Sequence, residues 1–395
     1  MGRPGRPQGA RDAVPVPILH CYADYKWTGP SEPVLQMCLE LSRRGWPSDL
    51  ACMAAPPGRR NELSERAAAA GLTIAEAFAA PGRWAPAQFL TDRKRVGDLL
   101  RTGRYGIVHC HGSWDHAVVG ALRRAAGRAG VRVVRTDHRA RDYAGNPLWR
   151  YYFGPGLTDH LIVLSDRHAV QAVTRLRRLP EDVTVVRGAV DVAAFRPIEV
   201  APSTRERFGL AAGDVIVGLI ARVQRHRRFD VLLRAAELVR AKDQRIKIAV
   251  CGRGTHRAEL LDRPLAKMGL QETVIPLGYR RDDYTRTIAM FDAGLMLVPG
   301  SDGSCRAALQ MAAMGKPLIV SRRGVLPDIV RDGETGIVVE DTPENLADAL
   351  AEMAADAERR RRWGLAARER MCRFFSLERE AAEVIAVYSR LTRSP

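Results

Sequence analysis

Short runs of β-branched and apolar residues alternate with helical periodicity along almost the whole chain. The β-rich runs of the first half are 16–22, 48–54, 106–111, 131–136, 160–165 and 183–187. Apolar residues at three- and four-residue spacing fill the gaps over 32–44, 93–101, 115–128 and 167–178, the mark of helices with one buried face. Ser31 is placed to cap the first of these helices and Gly45 to end it. A Pro-containing, irregular stretch over 195–204 interrupts the pattern. Strands then resume at 215–221, 247–251, 274–277, 294–298, 318–321 and 336–339, with helices starting at Asp230, Arg257 and near Arg306. Alternation of this kind builds right-handed βαβ units, so the fold predicted is α/β, with two doubly wound parallel sheets joined near residue 200. Ligands of such sheets bind beyond the carboxyl ends of the strands, here in the cleft between domains. From Pro343 onward the pattern is all helical, and Arg359–Arg362 read as one solvated face of a helix over 356–374.

At 395 residues the chain is long enough for two domains with separate cores. Residues 1–14 are rich in Gly, Pro and Arg without an apolar centre, and are predicted to be a disordered leader rather than a signal peptide. No run reaches the roughly 18 to 20 apolar residues of a spanning helix, so a cytoplasmic protein is expected. Seven scattered cysteines without a CxxC pair predict reduced thiols. The net charge of +17 favours anionic partners: phosphorylated ligands, anionic lipid or nucleic acid. Nothing shows the aromatic-plus-basic interleaving of single-strand binders or a zinc finger, which argues against nucleic acid. Basic helices such as 167–178 would suit a peripheral contact with the anionic inner face of a membrane.

The first strand runs into Ala23-Asp24-Tyr25-Lys26-Trp27-Thr28-Gly29-Pro30, with one useful glycine. Neither GxGxxG after a strand nor GxxxxGK[ST] occurs, which excludes the dinucleotide and P-loop readings. Gly252-Arg253-Gly254 is half a pattern. The sharper signal is Val298-Pro299-Gly300-Ser301-Asp302-Gly303-Ser304-Cys305-Arg306, which leaves a strand and enters a helix ending at Gly315-Lys316-Pro317. Backbone amides at such a helix start suit a diphosphate, and Ser304 is placed to cap the helix. Arg222 and Arg227, beyond the strand at 215–221, could neutralise a leaving diphosphate by forked hydrogen bonds without a metal. His109 and His111 end one strand and His138 follows the next. No carboxylate pair with ligand spacing accompanies them, so a substrate-orienting histidine is expected and no metal site.

These landmarks resemble the large retaining glycosyltransferase family 4. The resemblance rests on the stretch from Gly315 to Val320, on Gly324-Val325-Leu326-Pro327-Asp328 through Gly336, on Val190-Asp191 with Phe195-Arg196-Pro197, on Ala221-Arg222-Val223, and on Cys251 to Gly254. It runs from about Pro17 to the C-terminus and implies a GT-B fold of two Rossmann-like domains facing across a cleft. The implied layout is an acceptor-side domain over 15–198, a nucleotide-sugar-binding domain over 199–375, and a C-terminal helix over 376–395 packing back on the first domain. The resemblance further implies metal-independent transfer with retention of configuration, from a UDP- or GDP-linked sugar to a cell-envelope glycan or lipid-linked acceptor, with no cofactor. By position, His138 and Asp302 are the implied catalytic residues. Gly29, Arg222, Arg227, Gly303, Ser304, Cys305, Arg306 and Gln310 are the implied donor-binding residues.

The chain departs from the family pattern at several of these positions. Asp302 and Gln310 stand where the family has two glutamates. The second of those grips both ribose hydroxyls, and a neutral amide there costs about 1–3 kcal/mol of donor affinity. Arg228 replaces the glycine beside the second cation, and Gly188-Ala189 replaces the usual Asn-Gly. The alternatives to a transferase are a catalytically degenerate GT-B protein that binds a glycan, nucleotide or partner, and a nucleic-acid binder.

Overall fold

The computed structural model describes residues 14–27, 29–79, 86–128, 130–139, 142–300 and 303–393. Nearly all of the leader and the whole of Asp302 lie outside these residues.

The first domain is built on β1 (Ile18–Tyr22), β2 (Ser48–Met53), β3 (Ile74–Phe78), β4 (Ile107–Cys110), β5 (Arg132–Asp137), β6 (His160–Val163) and β7 (Val183–Val185). They form one parallel sheet in the order β3-β2-β1-β4-β5-β6-β7. The second domain holds β8 (Val215–Ile220), β9 (Ile246–Cys251), β10 (Val274–Gly278), β11 (Ala293–Met296), β12 (Leu318–Ser321) and β13 (Gly336–Val339) in the order β10-β9-β8-β11-β12-β13. Each sheet reverses its strand order once, between β1 and β4 and between β8 and β11, and those switch points open the crevices where α/β sheets take ligands. The strands are short continuous apolar runs because helices cover both faces: β1, β2 and β4 are buried along their entire length.

The expected alternation is present, and the differences have local causes. β3, IAEAF, lies at the sheet edge with its first three residues partly or fully exposed, so its sequence lacks the dense apolar run of the other strands. Ser31 is the first helical residue of Ser31–Arg43 rather than its cap, and its hydroxyl donates to the Lys26 carbonyl at 2.7 Å instead. Gly45 does follow that helix in the left-handed region, at φ 83°. The helix expected over 115–128 is two, Ser113–Ala121 and Arg123–Arg128. The one expected from Arg257 opens with a π-helical turn, Ala258–Asp262. Arg359 and Arg360 are not merely solvated. Their guanidiniums donate to the carbonyls of Glu352, Met353 and Ala354 and close the end of the preceding helix.

The chain crosses between domains twice, side by side. Val190 pairs with Ser376 in an isolated bridge, its N–H donating to the Phe375 carbonyl at 2.8 Å. Arg368 locks the first crossing by donating to the carbonyls of Val192, Phe195 and Ala313. The final helix, Leu377–Arg393, lies on the first domain, where Ala381, Val384, Val387 and Tyr388 share a core with Met37, Leu41 and Trp46. Tyr388 is fully buried against Trp46, and its hydroxyl lies 2.6 Å from His109 Nδ1. Tyr388→Ala should cost about 3–5 kcal/mol, and Tyr388→Phe about 1–3 kcal/mol by leaving a histidine nitrogen unpaired. The midpoint of thermal unfolding reads both, and a Tyr388→Phe protein as stable as wild type would contradict the buried contact.

Candidate active site

The carboxyl edges of the two sheets face each other, and contacts among the described residues join them. The Gly303 N–H donates to the His138 carbonyl at 2.6 Å. Arg306, at the start of the helix Arg306–Ala313, forms an ion pair with Glu32 in the first turn of Ser31–Arg43. Gly188 lies so close to Ser304 that a Cβ would fall 2.5 Å from the Ser304 Cβ. His138, Gly303, Ser304, Cys305 and Arg306 are therefore gathered at one place. Gly29 enters the same region, two residues before the helix that carries Glu32.

On the second domain, the loops after β8 and β9 run backbone against backbone. A Cβ on Gly252 would lie 2.0 Å from the Ala221 carbonyl oxygen and one on Gly254 2.1 Å from that of Val223. This close approach is what the half-pattern Gly252-Arg253-Gly254 provides, and it holds Arg222 at the sheet edge. Arg222 is exposed with no ion pair among the described residues. Arg227 donates to the Val298 carbonyl at 2.7 Å, which ties it to the start of the loop between β11 and the following helix. Both cations thus stand at the switch point of the second sheet. Arg228 occupies the left-handed region at φ 58°, ψ 40°, the conformation that favours glycine. An ion pair with Asp341 at 2.6 Å anchors it there.

Two expectations are revised. The helix Arg306–Ala313 is not capped by Ser304; Cys305 is the N-cap, itself left-handed at φ 52°, and makes no side-chain cap bond. The first-turn amides are therefore not taken up by a capping side chain at that position. Gln310 is buried, and its Oε1 accepts a hydrogen bond from the Tyr284 hydroxyl at 2.7 Å, leaving the NH₂ as the group free for a ligand.

The histidines converge more closely than the sequence suggested. β1 and β4 pair in register with His20 opposite His109. His20 Nδ1 lies 3.0 Å from His111 Nε2, and His111 Nδ1 lies 3.2 Å from His138 Nε2. Burial holds His20 down at about 3 and His111 well below the usual imidazole range, so both are neutral. His20 Nε2 is buried without a partner. A bare lone pair there costs less than an orphaned N–H. That assigns the proton between His20 and His111 to His20 Nδ1, and the next proton to His111 Nδ1, which donates to His138. His20, His109 and His111 bring one nitrogen each within 4.8 Å of one another. Both nitrogens of His109 are engaged, by Tyr388 and by Thr136, and those between His20 and His111 face each other. These contacts link His20, His111 and His138 in a hydrogen-bonded chain.

Charge behind the site is paired. Arg135 is buried, donating to the Gly112 carbonyl beside Asp137 and Asp115. Burial pushes the Asp137 carboxyl up, but Arg135 and Arg139 outweigh it and hold the group below the usual range. Of the basic helix expected over 167–178, Arg167 pairs with Asp142, and Arg178 is buried, donating to the carbonyls of Phe153, Thr158, Asp159 and Asp182. Arg178 is therefore no part of a surface cation patch.

Two facing Rossmann-like sheets with this cleft define a GT-B glycosyltransferase. The family model for "Glycosyltransferase Family 4" matches residues 28–194, and that for "Glycosyl transferases group 1" matches residues 200–370. A D-inositol 3-phosphate glycosyltransferase of Thermobispora bispora is 30% identical over 302 residues, covering 69% of this chain and 67% of that protein. Among solved structures, a glycosyltransferase from Rickettsia africae superposes with a TM-score of 0.81 at 16% identity, over 96% of this chain and 100% of the other. Anabaena HepE in complex with UDP and glucose superposes with a TM-score of 0.76 at 14% identity, over 95% and 100%. The chain belongs to glycosyltransferase family 4, and it is an enzyme of the glycosyl-transfer class.

Glu32, Tyr284, His20 and Tyr388 were not foreseen from sequence. His20 had a signal, a histidine inside the fully buried strand ILHCY. The other three act through partners far away in the chain, which spacing cannot show.

The histidine chain predicts a pH effect. His20 is protonated in the unfolded chain below about 6.5 but stays neutral in the folded one down to about 3. Its contribution is therefore complete above pH 6.5 and declines as the pH falls toward 3, by up to about 1.4 kcal/mol per pH unit. His20→Asn keeps a donor for His111 and should flatten the fall in unfolding midpoint over that window. Parallel wild-type and variant curves would contradict the assignment.

Proposed function

We propose that the protein is a retaining, metal-independent glycosyltransferase. It moves a sugar from a UDP- or GDP-linked donor to a cell-envelope glycan or lipid-linked acceptor and needs no cofactor. The observation that carries this reading is the Gly303–His138 contact, which sets the helix start of the second domain directly against the histidine edge of the first. The name of the T. bispora relative supports glycosyl transfer, and the UDP and glucose bound by HepE support a nucleotide-sugar donor.

The donor diphosphate lies against the loop before Arg306–Ala313, within reach of Arg222 and Arg227. The bond between the anomeric carbon and the diphosphate oxygen breaks, and the electron pair leaves with that oxygen. Arg222, Arg227 and the amides of Ser304 to Arg306 stabilise the charge where it develops, the Gly303 amide being taken up by the His138 carbonyl; in most enzymes this kind of stabilisation lowers the barrier more than any other effect. The acceptor hydroxyl attacks on the face the diphosphate is leaving, and its proton passes to the departing phosphate. His138, held from behind by His111, touches the donor sugar, and Asp302 positions sugar hydroxyls. The NH₂ of Gln310 donates to the ribose. Peripheral attachment to an anionic membrane would place such an enzyme near lipid-linked acceptors, drawn by the net charge of +17.

The test is a calorimetric and turnover panel of UDP-, GDP- and ADP-sugars with and without Mg²⁺. One nucleotide should bind and turn over equally well in EDTA. His138→Ala should lower kcat about 10²-fold or more, and Arg222→Ala about tenfold to a hundredfold with unfolding unchanged. Gln310→Glu should tighten donor binding about tenfold. A His138→Ala enzyme at the wild-type rate would remove the catalytic assignment. Donor binding that appears only in Gln310→Glu and brings no transfer would establish the degenerate, non-catalytic alternative.

A further inference from the structure

Beside the histidine edge the first domain carries a groove of about 690 Å³, within the range of small-molecule sites. Its walls are Phe89, Trp114, Leu148, Trp149, Tyr152 and Leu157, and Ser113 and Arg139 also line it. Those last two fix its position. Ser113 follows the loop that carries His111, and Arg139 is the residue after His138. The groove therefore opens where an acceptor hydroxyl must arrive.

Three of the polar side chains of this lining, those of Trp114, Tyr152 and Arg139, are committed to partners within the protein. Trp114 Nε1 donates to Asp92 at 2.7 Å, and the Tyr152 hydroxyl donates to the Ser113 carbonyl. Arg139 is forked onto Asp137 at 2.8 and 3.1 Å, and its guanidinium stacks on the rings of Trp149 and Phe153 at 4.6 and 4.8 Å. Among the described residues, no Asp, Glu, Asn or Gln lines the groove. A glycan or an inositol phosphate needs such donors and acceptors, and a buried hydroxyl without them is costly. The outer lip is apolar as well, with Leu148 71% and Tyr151 68% exposed.

We propose that this groove holds the hydrocarbon part of the acceptor, an amphiphile whose hydroxyl-bearing end lies at His138 and whose alkyl or isoprenoid chain lies along the aromatic walls. The proposal rests on the reading of the cleft as a transferase site and narrows it to an apolar-tailed acceptor. The acceptor class therefore differs from the inositol 3-phosphate named for the T. bispora relative.

The experiment compares octyl β-D-glucoside with methyl β-D-glucoside, both kept below micelle formation, by calorimetry on the full chain. UDP is titrated into the same samples. Wild type should bind the octyl compound at least tenfold more tightly than the methyl one, since each buried methylene contributes about fourfold. Leu148→Asp and Tyr151→Asp, both at exposed positions, should abolish most of that preference and leave UDP binding unchanged. Leu238→Asp, at an exposed position of the second domain, should not affect it. Equal affinity for the two glucosides with normal UDP binding overturns the groove assignment and leaves the transferase reading in place. An octyl preference in a protein that binds no nucleotide overturns the acceptor role together with the transferase reading. If Leu148→Asp weakens binding to phosphatidylglycerol vesicles but not to octyl glucoside, the patch is a membrane contact and the proposal is wrong.

Discussion

The hydrogen bond from the Gly303 amide to the His138 carbonyl, 2.6 Å across the cleft, fixes the relation of the two sheets at the point where chemistry is expected. It forms only because the backbones meet without side chains between them. A Cβ on Gly303 would lie 3.0 Å from the Arg139 carbonyl oxygen, and one on Gly188 would strike Ser304. Behind His138 stand His111 and His20, and behind His109 stands Tyr388 on the last helix of the chain. In front of it stand the helix start at Arg306 and the loop that Arg227 grips through Val298. The position of the helix amides relative to the histidine is therefore set by backbone contact, while the ion pair between Arg306 and Glu32 steadies the same face.

Where the arginines go decides what the net charge of +17 means. Arg135, Arg178 and Arg368 spend their donors on backbone carbonyls at loops and helix ends, and many others sit in ion pairs with near neighbours in sequence. Exposed pairs of that kind add little to stability, but they do remove cations from the free surface. Arg222 is different, since it stands exposed at the switch-point edge without an ion pair among the described residues. A cation left unneutralised at a ligand edge suits a diphosphate better than a nucleic-acid backbone, which requires a continuous basic track.

Most strands were legible in the sequence as short runs rich in apolar and β-branched residues. Six of the seven strands of the first sheet and all six of the second carry one, the edge strands β7 and β10 included. β3 was not, because IAEAF breaks its apolar residues with alanines and an exposed glutamate. The donor loop was legible from glycines and a following helix, since a close backbone turn needs those residues. The left-handed conformations of Cys305 and Arg228 were not, because neither residue advertises a positive φ. Nor was the bond from Tyr284 to Gln310, where a tyrosine 26 positions away takes the oxygen that the sequence assigns to a ligand.

If the close contact at the donor loop sets the rate, disturbing it without unfolding the protein must slow transfer. Gly188→Val would push Ser304 and its loop away from His138, and Ala189→Val, at the partly buried neighbouring position, serves as the control. The decisive measurement is turnover of the preferred nucleotide sugar by these two variants alongside their unfolding midpoints. The expected result is a loss of about 10²-fold in kcat for Gly188→Val, with Ala189→Val close to wild type and both proteins folded. A folded Gly188→Val enzyme that turns over at the wild-type rate would contradict it.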